Sequence, residues 1–350
     1  MAIDRDLQAG LEPGLRFAML STPSGGSIDL DWTGIARWRP EDGFLWIHLE
    51  RDDPVAQAWV RERAGLDPLV AMALLAEESR PRVEDVGDDL LVVLRGVNRP
   101  QPESDSPDSI DSELVPIHIW MEGRRCISLR DKANSLTALR DLRLAMMSGK
   151  GPRSAGGLMA RIAEKVTDHV GDLVAEMEEI VDRLEDRIAE SADGPRLRGE
   201  IAESRRAVVL VRRYLAPQRD ALYRLRHDDA TWLTTEAKTH LREVDDRLVR
   251  HLEDLDEIRQ RAAILQEELA ALVAEQTNRN LYALSMVTVI MLPMSFVTGY
   301  FGMNTGALPF GADHPYGTWM ASGLIGLVAL VTWGLLRINM RPRPVGGDRP

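Results

Sequence analysis

Few residues in this chain combine polar chemistry with regular spacing inside an uncharged run. A heptad walk through the run from Leu281 to Phe301 meets Asn278, Leu281, Ser285, Thr288, Leu292, Ser295, Gly299 and Gly302. That spacing puts amide, hydroxyl, glycine and leucine on one helical face. The turn that follows reads Gly302-Met303-Asn304 and adds backbone carbonyls and a second carboxamide. The set holds no thiolate, imidazole or carboxylate, whereas tightly bound zinc takes nitrogen and sulfur ligands. It can instead hydrogen-bond the water shell of a divalent cation that keeps much of its hydration, as magnesium does. Leu281 and Leu292, repeated as rings about an axis, could gate such a path by excluding water. Small and hydroxylated residues also let membrane helices pack closely, so the face reads equally as a packing surface.

The elements that must position this face are two apolar segments. Leu281 to Phe301 contains no Asp, Glu, Lys, Arg or His, and neither does Thr318 to Leu336. Each is close to the roughly 20 residues a helix needs to cross a bilayer. Two crossings return both flanks to one side. Arg279 precedes the first, and Arg337, Arg341 and Arg343 follow the second, while the loop between carries Asp313 as its formal charge. Basic flanks mark the cytoplasm, so a multi-pass protein with both termini cytoplasmic is expected. Asp313 and His314 would lie in the external loop, either collecting cations at the mouth or standing as a solvated pair. One hairpin encloses no path; several copies around an axis could. Pro293 removes one backbone hydrogen bond inside the first segment and can supply a bend there.

Upstream the chain reads as a large soluble body. Its 350 residues are 28% charged, with a net charge of -12. An acidic body argues against nucleic acid as a partner. Cys126 is the only cysteine, which excludes an intrachain disulfide and any Cys-rich metal site. Residues 1–20 lack a basic start followed by an apolar core, so insertion is expected to rely on the C-terminal hairpin.

Short β-prone runs at Leu15–Leu20, Phe44–Leu49, Leu90–Val97, Val115–Met121 and Arg125–Leu129 predict a sheet, the last two joined by a turn at Glu122-Gly123. Pro54–Arg63 and Pro68–Glu78 read as helices. Residues 99–108 carry three prolines and four Ser or Asp between the strand runs and read as a loop. Gly149-Lys150 is followed by Gly151 and so is not a phosphate-binding loop. Catalysis is indicated nowhere.

From about Leu158 the apolar period becomes helical through Val166, Val170, Leu173, Val174, Met177, Ile180, Val181, Leu184 and Ile188. Acids interleave this helix at Asp168, Asp172, Glu176, Glu178, Glu179, Asp182, Glu185 and Asp186. They could draw or sense cations, or form a solvated face. A second helix follows, with Pro217 expected to kink or interrupt it. A third, from about Thr234, carries Leu241, Val244, Leu248, Leu255, Ile258, Ala262, Leu265, Leu269 and Leu272 at coiled-coil spacing. No Pro or Gly intervenes before Pro293, so this helix should enter the first span unbroken, on the order of 90 Å long.

The predicted organisation is an α+β cytoplasmic domain (1–150), a helical and stalk region (151–280), a first transmembrane helix (281–301), an external loop (302–317), a second transmembrane helix (318–336) and a basic tail (337–350).

The Gly302-Met303-Asn304 turn, preceded by Tyr300-Phe301 and set between two C-terminal spans, resembles that of the CorA superfamily of divalent-cation transporters. The continuation Thr305-Gly306-Ala307-Leu308-Pro309 is similar to that of its ZntB-like zinc branch, since no acid follows the proline before Asp313. The resemblance implies a funnel-shaped homopentamer in the inner cell membrane, with Gly302, Met303 and Asn304 as the selectivity filter. It implies zinc as the transported ion, proton coupling and no resident cofactor. A magnesium or cobalt channel is the alternative within that class, and a membrane-tethered coiled-coil scaffold lies outside it. The residues themselves give proton coupling no support, since relays through membranes generally use Asp, Glu or His.

Overall fold

The structure, a computed structural model, describes residues 12–22, 26–77, 80–98, 114–131, 137–190, 194–302 and 316–339. The chain forms two units, Met1–Glu267 and Glu268–Pro350.

The first unit is built on a mixed sheet of seven strands: β1 (Leu15–Ser21), β2 (Ser27–Asp29), β3 (Phe44–Glu50), β4 (Arg82–Val86), β5 (Asp89–Val97), β6 (Leu114–Met121) and β7 (Arg125–Arg130). Their order is β2-β1-β3-β7-β6-β5-β4. Every predicted β run is a strand. Phe44–Glu50 is buried along its whole length, the pattern of a central strand covered on both faces. It pairs antiparallel with β1 and parallel with β7. The predicted turn at Glu122-Gly123 joins β6 and β7, with Glu122 N donating to Arg125 O at 2.8 Å. The prediction omitted β2 and β4, which lie at the two edges. The charged β4, Arg-Val-Glu-Asp-Val, has an edge strand's character.

Helices cover both sheet faces. On one lie α1 (Trp32–Arg37), α2 (Pro54–Glu62) and α3 (Pro68–Leu75), packed over Leu45, Ile47, Leu49, Ile127 and Leu129. Asp53 caps α2 by accepting from Val55 N and Ala56 N, and Asp67 caps α3 by accepting from Leu69 N. A proline follows each cap, where its missing N–H costs nothing. The other face carries α4 (Thr137–Met147), α5 (Ala155–Glu190) and α6 (Gly194–His227).

The third long helix, α7, runs from Thr235 to Phe301. Its seam residues Leu241, Val244, Leu248, Leu255, Ile258, Ala262, Leu265 and Leu269 are buried, as the spacing predicts, whereas Leu272, the last of the predicted seam, is exposed. Arg247 meets Asp168, and Arg261 meets Asp182, both at a sequence offset of 79. That constant offset makes α5 and α7 run parallel, side by side. Glycines permit their approach. A Cβ on Gly156 would sit 2.9 Å from Trp232 O, and one on Gly171 2.9 Å from the His251 ring.

Of the kink or interruption expected at Pro217, the interruption is not observed: α6 continues through it. The flanking Leu215 and Gln218 are buried, and Gln218 Oε1 accepts from Arg95 N at 2.7 Å. Packing against β5 holds the helix where propensity alone would break it. The 99–108 loop lies outside the described residues.

In the second unit α7 continues to Phe301, followed by α8 (Gly317–Asn339). α7 contains a stretch long and apolar enough to cross a membrane, and almost none of it is buried in the single chain.

Candidate functional site

The site grows from the apolar stretch of α7, which is covered within the chain along one narrow stripe and uncovered around the rest of its circumference. Met286, Ile290, Pro293 and Met294 are half-buried and Val297 is 9% exposed. Asn278, Leu281, Ser285, Thr288, Leu292, Ser295 and Gly299 are all exposed. At about 100° per residue the two stripes centre roughly 160° apart. The structure therefore brings the predicted pore-lining residues onto one uncovered face, opposite the face covered within the chain. Of the apolar neighbours, Ile290 and Val297 belong to the covered stripe. Val287, Val289 and Phe296 are exposed, as lipid contact would require.

Hydroxyl chemistry along the span is set by the helix itself. Thr288 Oγ1 donates to Leu284 O at 2.9 Å, and Thr298 Oγ1 donates to Met294 O at 3.1 Å. With its proton committed, each hydroxyl presents lone pairs outward. Waters bound to a cation point their hydrogens away from it, so acceptors are what a hydrated ion needs from a wall. Gly302 closes α7 by donating its N–H to Thr298 O at 2.9 Å. Met303, Asn304, Asp313 and His314, expected as filter and entry residues, lie outside the described residues.

At the N-terminal end of this stretch Arg279 Nη2 donates to Glu275 Oε1 at 2.6 Å, one turn away. This pair neutralises the charge nearest Asn278. Among the described residues no group of three or more His, Cys, Asp or Glu could hold a metal ion.

Sequence reasoning missed what the acidic run of α5 does. Asp168 accepts from Arg247 at 2.7 Å, and Asp182 and Glu185 accept from Arg261 at 2.5 and 2.8 Å. Three of the acids thus tie α5 to α7. Glu164 extends the tie, accepting from Arg161 at 2.8 Å with His240 Nε2 at 3.3 Å. Partial burial raises the Glu164 carboxyl, and Arg161 and His240 outweigh that to hold it below its usual range. The two carboxylates also hold the Arg261 guanidinium protonated beyond its ordinary range. The signal available in the sequence was Arg247 and Arg261 themselves, spaced as Asp168 and Asp182 are.

The sequence model of the family described as "CorA-like Mg2+ transporter protein" matches residues 41–337. The chain belongs to the CorA family of divalent cation transporters. Within the CorA family it is 36% identical over 333 residues to the divalent cation transporter CmaX of Pseudomonas aeruginosa, covering 94% of this chain and 97% of that one. It is 33% identical over 293 residues to the zinc transport protein ZntB of Pectobacterium carotovorum, covering 83% and 86%. Its fold matches the solved structure of full-length CmaX with a TM-score of 0.80 at 37% identity, over 94% of this chain and 99% of that one. The superfamily resemblance carried by the Gly302-Met303-Asn304 turn is thereby established, together with the order of an α/β body followed by long helices.

Proposed function

We propose that this CorA-family transporter moves zinc, as a homopentamer in the inner membrane, through a pore lined by the exposed face of α7. The observation that carries the reading is the stripe of small and hydroxylated residues on α7 that lies opposite the stripe covered within the chain. An uncovered stripe of Ser285, Thr288, Ser295 and Gly299 inside a membrane-length apolar stretch finds no advantage against lipid and a clear one around water. In the proposed arrangement residues 281–301 and 318–336 cross the bilayer, and 302–317 form the external loop. The tail 337–350 and the N-terminal body lie in the cytoplasm. Gly302, Met303 and Asn304 form the filter, Asp313 and His314 gather cations at its mouth, and rings of Leu281 and Leu292 gate the dry segment. The similarity to the zinc transport protein ZntB supports zinc, and coupling to protons is part of the same proposal.

Magnesium is the second reading, and the donor set favours it. The face offers acceptors for a hydration shell and no nitrogen or sulfur ligand, which suits an ion that dehydrates reluctantly.

The test is flux into proteoliposomes holding the purified chain, with zinc and magnesium compared at matched gradients and under an imposed pH difference. Zinc flux that follows the pH gradient is the expected result. Magnesium flux indifferent to pH, without zinc flux, would replace the first reading by the second. Asn304→Ala should abolish flux and leave the oligomer intact; unchanged flux would remove Asn304 from the filter.

A further inference from the structure

A cavity of about 760 Å³ opens between α1 and α2, with Leu45 and Ile47 of β3 as its floor. Three of the eight tryptophans in the chain, Trp32, Trp38 and Trp59, wall it. All three are half-buried, so indole faces that could have been sealed into the core stand open. Trp32 and Trp59 have ring centroids 5.4 Å apart and planes inclined at 44°. They are splayed and do not stack on each other.

The polar groups of the cavity are unequally committed. Trp32 Nε1 donates to Pro13 O and Trp38 Nε1 donates to Gly43 O. The Trp59 indole N–H has no hydrogen-bond partner among the described residues. Arg125 is held by Glu122 through bonds of 2.9 and 2.7 Å. Arg63, exposed at the rim, has no ion-pair partner among the described residues. Two uncommitted donors, one neutral and one cationic, therefore accompany the apolar slot. Glu62, also on the rim, repels every anionic group, so a carboxylate is accommodated only where it meets Arg63.

The volume lies within the range of roughly 300–1,000 Å³ typical of small-molecule pockets. A single Leu or Met side chain from another copy would leave most of it as wet space against indole faces. We propose that this cavity binds a planar aromatic carboxylate, its ring against Trp32 and Trp59 and its carboxylate on Arg63 and Trp59 Nε1. Such a guest fastens α1 to α2 across β3.

The probes are 2-naphthoate and its neutral isostere 2-naphthamide, titrated into the detergent-solubilised full chain by saturation-transfer NMR, with tryptophan quenching as a second readout. Naphthoate should bind saturably and up to about fivefold tighter than the amide, the scale of an exposed guanidinium–carboxylate pair. Arg63→Gln should equalise the two probes. Ala58→Phe, which fills the slot from an exposed position of α2, should abolish both without changing circular dichroism or elution volume. The proposal is overturned by absent saturable binding, by equal affinity of the two probes for the unaltered chain, or by binding that survives Ala58→Phe. A smaller assembly on Ala58→Phe would also overturn it, by assigning the slot to a second copy of the chain.

Discussion

Acidification should weaken the sheet domain through His118. This residue lies on β6, 1% exposed, with Nδ1 2.9 Å from Leu74 O. A carbonyl only accepts, so Nδ1 carries the hydrogen and Nε2 is left as a bare acceptor. Nε2 is buried without a partner. Adding a proton there would bury a cation, and burial first, then the Arg51 guanidinium, lowers the His118 pKa from 6.5 to about 4. A histidine depressed in the folded state leaves stability whole above its unfolded pKa and erodes it as pH falls through that value toward the folded one. The window here is therefore pH 6.5 down to 4, and the full loss over it is about 3 kcal/mol, from 1.36 kcal/mol per pKa unit. Burial also lowers the His48 pKa, so the wild-type slope contains more than one histidine and the informative quantity is a difference. His118→Asn keeps an N–H near the Nδ1 position and removes the titration. Thermal unfolding in detergent, followed by tryptophan fluorescence at several pH values between 7.5 and 4, should show the wild type losing about 3 kcal/mol more than the variant. Parallel curves for the two proteins would refute the assignment.

Other outcomes follow from features already described. Leu292→Ser should raise basal ion leak into proteoliposomes, and an unaltered leak would remove that ring from the gate. Gly156→Val forces a side chain toward Trp232 O and Ala237 Cβ, 2.9 and 3.1 Å from the nearest carbon it could add; it should cost about 1–3 kcal/mol by overpacking, read as a lowered unfolding midpoint. Arg261→Ala breaks a bridge whose acids are both more than half exposed; it should cost no more than about 1 kcal/mol, an effect that vanishes in high salt. Leu255→Ala, at a fully buried seam position, should cost about 2–5 kcal/mol and expose the difference between a surface tie and a packed core.

The parts of the fold legible in the sequence were those where burial imposes a period. Phe44–Leu49 and Leu90–Val97 announce strands because both faces need apolar residues, and the α7 seam announces itself by steps of three and four. β2, three residues long and mostly exposed, and β4, four of whose five residues are not buried, carry no such demand. α1 is too short to display a helical period, and it is half of the cavity wall. The interruption expected at Pro217 does not occur, because the local penalty was judged without the packing of Leu215 and Gln218 beside it. In the candidate site heptad spacing proposed one face of α7, and the structure leaves those residues uncovered, opposite the stripe covered within the chain. The ties from Asp168, Asp182 and Glu185 were missed because a carboxylate on a helix looks alike whether it meets water or arginine; the matching 14-residue spacing of Arg247 and Arg261 was the one signal of them.

The parallel pairing of β3 with β7 sets a timetable for synthesis. Residues that sit side by side at the centre of the sheet, such as His48 and Ser128, are 80 positions apart in the chain. At roughly 5–20 residues per second, β3 leaves the ribosome on the order of 4–16 s before its partner exists. During that interval the pair of β1 and β3 presents an apolar edge with open backbone groups, the kind of surface that recruits other chains. The β5–β6–β7 meander, whose contacts are local, can form as soon as it is made. The nascent chain is therefore most exposed to misassociation early, while translation has yet to reach β7, and a slowed ribosome over residues 51–124 would lengthen that exposure in direct proportion.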